Sequence, residues 1–352
     1  MHTYEKPPRA FTIKDVARLA GVSVASASAV LNNKGTASLR MTNRVKDAMN
    51  RLDYQPDNTA RSLKTGKSRV IGMVVPDVTN PFYTEIMEGL EAMARIHGYS
   101  VILCNSHEDP ALELVNLDML SAHRVDGVVL GCCSGQADYG RLIRRRFPVV
   151  FIDRLPTPGG FPCHAVVVDN LGAACTATKH LIGLGHTKIA VIAGRTDLSV
   201  GLQRANGYRK AMNDANLPVP DSYFCAGDFL AESGYRCGLE LLRLPDPPTA
   251  IFSCNNSMTL GLMRALAESE VSCPDQMSVV TFDDFPWASY FQPEMTAVAQ
   301  PTREIGRQAL RMLFAILKPD SAEARDVSQP MTTLQAELKV RKSTAPCRLR
   351  VP

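Results

Sequence analysis

TIKDVARLAGVSVASASAVLN, residues 12–32, is the stretch that decides what kind of molecule this is. Ile13, Val16, Ala17 and Ala20 recur at the spacing of one helix face, with Lys14, Asp15 and Arg18 between them. Gly21 breaks that helix, and Ser23 can cap a second one running to about Asn32. Ser38 can cap a third, with Val45, Met49 and Leu52 as its apolar stripe, before Pro56 interrupts. Two short helices meet at a glycine, and the second is built from small residues. That is a helix-turn-helix slim enough to lie deep in a major groove. Periodicity alone also fits any small three-helix domain.

Charge supports a polyanion partner for this end of the chain. Residues 1–70 hold 13 Lys/Arg against 5 Asp/Glu, whereas the remainder holds 26 against 30. A basic head on a mildly acidic body suits nucleic acid at the head only; a solubilising basic surface would have the same composition. Residues 1–11, with Pro7-Pro8 and mixed charges, read as disordered.

From Arg69 the pattern changes. VIGMVV (70–75) reads as a buried strand, PFYTEIMEGLEAMARIHG as an amphipathic helix ending at Gly98, and SVILCN as the next strand before a helix to about His123. DGVVLG, PVVFID, AVVVD, KIAVIAG, TAIFSC and MSVVTFDD are further short apolar runs with helical segments between most of them. This alternation means parallel sheet and an α/β fold. About eleven strands are too many for one such domain, so two sheets are expected. No apolar run reaches the roughly 18 residues of a membrane span. MHTYEKPPRAF lacks the apolar core of a signal peptide, so a cytoplasmic location is expected. The ten cysteines include no C-x-x-C pair and sit mostly in apolar runs, as Cys104, Cys132 and Cys254 do, which reads as free core thiols.

The head sequence 12–32 resembles the LacI/GalR family of bacterial repressors. So do RLDYQPDNTARSLKTGKS (51–68) and residues 70–110, then RVDGVVL, FIDR, KHLIGLGHTKIAVIAG, QRANGYRKAM, AGDFLAESGY, FSCNNSMTLGLMRAL and FDDF in the same order. The resemblance covers about residues 12–342. It implies an all-α helix-turn-helix headpiece (12–54), a hinge (55–67) and an α/β sensor (68–343). The sensor would have two Rossmann-like lobes, like a periplasmic sugar-binding protein. By motif position, lobe one is 68–169 plus 301–328 and lobe two is 170–300 plus 329–343, with 344–352 as a tail. The implied function is a repressor that binds a near-palindromic operator as a homodimer under the control of a small polar effector, a sugar or sugar derivative. The tail carries no heptads, so no tetramer-forming extension is expected.

The resemblance places DNA contacts at Thr12, Ser23, Val24, Ala25, Ser26, Ala29 and Asn32, and in the hinge at Arg61, Leu63 and Lys64. Ala29 departs from the family, which often carries Arg or His there; alanine offers a base only a methyl group. The serines are short donors suited to phosphates or helix caps, and Val24 and Ala27 have helix packing as their alternative. The hinge is too short for a helix stable by itself in water. The family inserts the leucine of A-R-S-L-K into the minor groove, which corresponds to Leu63; the alternative is a packing residue in a linker.

Open α/β sheets bind ligands at the carboxyl ends of their strands. The candidates are Asp77, Asn80, Phe82 and Tyr83 in lobe one, Asp153, Arg204, Asn255 and Asp283 in lobe two, and Gln300 at the crossover. Asp, Asn and Arg supply the paired donors and acceptors that sugar hydroxyls need. Phe82, Phe229 and Trp287 can stack on a ring. The family's effector contacts correspond best to Arg204, Asn255 and Asp283. For Asp77, Tyr83 and Phe229 the alternative is a cap or core residue. Asn256 stands where the family commonly has aspartate, which removes a negative charge and so leaves an anionic group admissible. No G-x-G-x-x-G follows a strand, and no P-loop or G-x-S-x-G occurs. His107, His123, His164 and His186 have no metal-like spacing. No catalytic residue, metal or cofactor is therefore expected. A secreted transport protein is the remaining rival, and the attached head opposes it.

Overall fold

The computed structural model describes residues 11–31, 37–54, 66–135, 139–140, 147–156, 163–286, 288–290, 292–320 and 329–347. The chain divides into two compact units, residues 1–68 and 69–352.

The first unit contains α1 (Ile13–Ala20), α2 (Val24–Leu31) and α3 (Leu39–Arg51). At each helix start a short polar side chain accepts from a backbone N–H. The Thr12 N–H and hydroxyl both donate to the Asp15 carboxylate, at 3.0 and 2.8 Å. Ser23 Oγ accepts from the Ser26 N–H at 3.0 Å, and Ser38 Oγ from the Met41 N–H at 3.3 Å. These bonds satisfy donors that a helix start leaves open. Gly21 ends α1 in the left-handed region at φ 61°, where a side chain is costly. Val16, Ala17, Ala20, Ala27, Val30, Val45 and Ala48 form the core. Ala27 is therefore a packing residue, whereas Val24 is 44% exposed.

The second unit runs β1 (Val70–Val75), α4 (Pro81–Ile96), β2 (Ser100–Asn105), α5 (Pro110–Ala122), β3 (Gly127–Leu130), β4 (Val149–Ile152), β5 (His164–Val168) and α6 (Asn170–Gly183). Then follow β6 (Ile189–Ala193), α7 (Ser199–Asp214), β7 (Phe224–Ala226), α8 (Ala231–Leu242), β8 (Ala250–Ser253), α9 (Asn256–Glu268) and β9 (Ser278–Phe282). It closes with β10 (Thr296–Ala299), α10 (Thr302–Leu317), β11 (Met331–Leu334) and β12 (Glu337–Lys339). Two six-stranded sheets result, ordered β11-β5-β4-β3-β1-β2 and β12-β10-β9-β8-β6-β7. All pairings are parallel except β10 with β12. Central strands such as β3, β6, β8 and β9 are buried along their whole length, which explains why their sequences are unbroken apolar runs.

The chain passes from the first sheet to the second after β5, returns after β10, and passes over again between β11 and β12. The last passage corrects the expectation that 329–343 all belong to the second lobe. Met331–Leu334 pair in parallel with Ala165–Val168, so the crossing lies at residues 335–336. The tail is also corrected, because residues 344–347 are part of the second lobe. The His186 ring meets Thr249 Oγ1 at 2.8 Å through Nδ1 and the Ala345 carbonyl at 3.0 Å through Nε2. The Cys347 N–H donates to the Leu184 carbonyl at 2.8 Å. A third correction concerns sulfur: Cys225 and Cys237 are joined as a disulfide, and the other eight cysteines are free. Strand β7 and helix α8, consecutive in the chain, bring the two Cα atoms to 5.7 Å, a proximity that a twelve-residue separation does not reveal. Among the described residues no helix is long and apolar enough to cross a membrane.

Candidate functional sites: the second head helix and the interlobe cleft

Helix α2, VASASAVL, carries no charged side chain. Its eight residues span about 12 Å, close to the width of a major groove. Ala27 and Val30 face the core. Ala25 and Ala29, four residues apart, lie together on the far side, Ala25 exposed and Ala29 half-buried. Val24 stands at the exposed start of the helix. Ser23 and Ser26 have hydroxyls 2.9 Å apart, so each already has one partner. Thr12 is an exposed cap of α1. The candidates Asn32, Arg61, Leu63 and Lys64 lie outside the described residues, as does Trp287.

On this side of α2 Ala25 and Ala29 present only methyl groups. Replacing Ala29 by Arg adds a guanidinium fork that can hold guanine, a contact that discriminates between bases by about 1–3 kcal/mol. Ala29→Arg is expected to change the ranking of operators selected from a random DNA pool more than it changes non-specific affinity. An unchanged ranking would remove Ala29 from the reading face.

All ten predicted effector residues line one cleft in the second unit: Asp77, Asn80, Phe82, Tyr83, Asp153, Arg204, Phe229, Asn255, Asp283 and Gln300. One assignment changes. Asp153 follows β4, between β3 and β5, and so belongs to the first lobe. It faces Arg204 of the second lobe across the cleft, with Oδ1 3.8 Å from Nη2. Tyr83 Oη donates to Asp153 Oδ2 at 3.0 Å, and burial together with this carboxylate pushes the phenol well above its ordinary range. Arg204 is held on three sides. Its Nε donates to Asn170 Oδ1 at 2.8 Å, its Nη1 donates to the Cys254 carbonyl at 2.8 Å, and its guanidinium lies 3.7 Å over the Phe282 ring. Asp283 accepts from Gln300 Nε2 at 2.5 Å; burial raises its carboxyl pKa, with Arg204 opposing the rise.

Other lining residues are largely architectural. Asn255 caps α9 by accepting from the Met258 N–H at 2.8 Å, and its amide donates to the Phe229 carbonyl at 2.9 Å. Asn80 caps α4 and accepts from Asn256 Nδ2 at 2.9 Å, a bond that joins the lobes. Asp77 accepts from the N–H and hydroxyl of Thr79. Phe229 is a bulky residue at φ 74°, an uncommon conformation that clusters at ligand sites. Asn256 is tied through Nδ2 to Asn80, and its Oδ1 accepts from the Ser257 N–H at 2.7 Å.

The cleft also contains Glu108 and Arg154, which sequence reading missed. Arg154 is buried and forks onto Glu108 with two bonds of 2.7 Å. Glu108 lies three residues after the end of β2 and Arg154 two after the end of β4, in the motif FIDR, and that position was the available signal. Buried Asp153 Oδ1, Arg154 Nε and Gln300 Oε1 have no hydrogen-bond partner. The cleft encloses about 20 Å³, room for roughly one water, so a larger ligand enters only if the lobes part.

A helix-turn-helix unit, followed in the same chain by a two-lobed unit with a charged internal cleft, defines a ligand-controlled DNA-binding regulator. Residues 12–57 match the bacterial regulatory proteins of the lacI family, and residues 178–344 match the periplasmic binding protein-like domain. The chain is 38% identical over 306 residues to the ribose operon repressor of Escherichia coli K12, covering 86% of this chain and 92% of that one. It is 35% identical over 336 residues to the HTH-type transcriptional repressor PurR of Mannheimia succiniciproducens, covering 94% and 98%. Among solved structures, the lac repressor dimer bound to operator and the anti-inducer ONPF matches with TM-score 0.83 and 25% identity over 96% of this chain and all of that one. A LacI-family regulator from Enterococcus faecium with bound ribose matches with TM-score 0.69 and 27% identity over 79% of this chain and all of that one. The chain belongs to the LacI family: it is a sequence-specific DNA-binding transcriptional regulator whose operator affinity is set by a small polar effector.

Proposed function

We propose that this chain is a homodimeric, cytoplasmic repressor whose effector is a neutral sugar of pentose size, that it acts by binding and not by catalysis, and that the ten cleft residues are its effector contacts. The observation that carries the reading is the charge balance of the cleft. Asp77, Glu108, Asp153 and Asp283 outnumber Arg154 and Arg204, which repels phosphates and carboxylates. A vicinal diol matches what remains, because a hydroxyl can donate to Asp153 Oδ1 or Gln300 Oε1 while accepting from Arg154 or Arg204. The ribose operon repressor and the ribose-bound neighbour support the pentose assignment.

At the DNA, Thr12, Ser23 and Ser26 hold phosphates while Val24, Ala25 and Ala29 face bases. Residues 55–67 form the hinge in which Leu63 wedges the minor groove between Arg61 and Lys64. Two-fold protein symmetry then meets a near-palindromic site.

The test is a thermal-shift series on the full chain with D-ribose, other neutral pentoses and ribose 5-phosphate, paired with mobility shifts on a selected operator. A ligand at 100 times its Kd adds about 2.7 kcal/mol. D-ribose or a close pentose is expected to raise the midpoint and change operator affinity, and the phosphate ester is expected to do neither. A response to the ester alone would overturn the charge argument.

A further inference from the structure

We propose that Cys225 and Cys237 form a reversible dithiol–disulfide site whose state tunes the effector cleft; the tuning rests on the cleft reading above, and the sulfur chemistry does not. Cys225 lies on β7, the outermost strand of its sheet, and Cys237 is fully buried in α8. The bond between them closes a loop around residues 226–236. Within that loop lie Phe229 and Leu230, and both line the cleft. The loop is tightly placed: the Gly227 N–H donates to the Ala193 carbonyl at 2.7 Å, and the Asp228 N–H to Ser233 Oγ at 3.1 Å. Phe229 holds its left-handed backbone inside this covalent ring. No other cysteine pair in the chain is bonded. In a reducing compartment a disulfide is usually transient, catalytic or redox-sensing, so this bond reads as a switch.

The reaction is thiol–disulfide exchange with a low-molecular-weight disulfide such as oxidised glutathione. The Cys225 thiolate, on the more accessible edge strand, attacks one glutathione sulfur, which forms a mixed disulfide and releases one glutathione thiolate. The Cys237 thiolate then attacks the Cys225 sulfur and releases the second. The two protein thiol protons finish on the two released glutathiones, and reduced glutathione reverses both steps. The closed ring holds Phe229 in its cleft position before a ligand arrives. Opening it leaves that ordering to be done on binding, which weakens affinity.

The experiment equilibrates the full-length chain across a series of reduced-to-oxidised glutathione ratios. Each sample is read in three ways: peptide mapping after alkylation, hydrogen exchange of the 226–236 segment, and D-ribose titration. The expected results are a 225–237 linked peptide that appears and disappears reversibly, faster exchange of the segment when reduced, and ribose affinity about threefold to tenfold weaker when reduced. A Cys225→Val/Cys237→Ala variant should show no redox dependence in exchange or affinity. Absence of the linked peptide at every ratio overturns the site. A linked peptide with unchanged exchange and affinity overturns the tuning. If ribose fails to bind in either state while exchange still follows the redox ratio, the effector assignment fails and the redox site stands.

Discussion

Replacing Arg204 by alanine is expected to abolish the response to D-ribose while operator binding survives. Arg204 is the second lobe's cation in the cleft, fixed by Asn170, the Cys254 carbonyl and the Phe282 face, with Nη2 turned toward Asp153 of the other lobe. An effector that contacts both lobes can favour one lobe arrangement only through differential affinity. Without the guanidinium, Asp153 and Asp283 lose their shared counter-charge, and the burial that raises the Asp283 pKa loses its largest opposing influence, leaving the hydrogen bonds from Gln300 and the Asn256 backbone. Breaking a buried pair costs about 3–5 kcal/mol, so the ligand-free variant should also melt lower. The coupling that disappears is about 1–3 kcal/mol, or 5- to 150-fold in operator affinity. Mobility shifts with and without D-ribose measure it. Arg204→Lys keeps the charge but not the fork, and should fall between. A wild-type ribose response in the alanine variant would remove Arg204 from the effector site.

Gly261→Ala is expected to destabilise the sensor strongly even though it adds one methyl group and improves helix propensity. Helices α8 and α9 cross backbone to backbone: a Cβ on Gly261 would sit 1.8 Å from the Ala231 carbonyl oxygen, and one on Gly234 would sit 2.0 Å from that of Met258. Carbonyls in a packed crossing cannot rotate away as a side chain does, so the helices must separate. Overpacking of this kind costs about 1–3 kcal/mol and sometimes more, against a propensity gain of at most about 1 kcal/mol. The unfolding midpoint should fall by several degrees. Gly183→Ala is the matched control. That glycine is also helical, but its Cβ would meet nothing within 4 Å, so the midpoint should rise slightly. Equal midpoints for the two variants would contradict the close crossing.

The two predictions also mark what the sequence made legible. Strands buried on both faces leave unbroken apolar runs, so VIGMVV, KIAVIAG and MSVVTFDD announced themselves. Strands β7 and β12 have three residues each, and β11 alternates between exposed and half-buried positions, so none of them leaves such a run. Without β11 the third crossing could not be placed. Asp77, Asp153, Asn255, Asp283 and Gln300 were legible because they follow strand ends inside ordered motifs, whereas Arg204, inside α7, was legible only through the motif QRANGYRKAM. Glu108 and Arg154 followed the same rule, but as an internal ion pair they satisfy one another and show no ligand-like signature in one dimension. The Cys225–Cys237 bond depends on how a strand and its following helix pack, which spacing does not encode.

One short segment finishes both halves of the sensor. Strand β11 is the end strand of the first sheet and β12 the end strand of the second, and residues 343–347 pin the second lobe behind them. The three helices of the head are complete by Arg51. Domains generally fold in the order in which they are synthesised. A growing chain therefore carries a folded DNA-reading head long before either lobe has its last strand. A chain halted short of Met331 would carry the head helices but lack the end strand of each sheet, so the two lobes depend on a segment far downstream of the head they accompany.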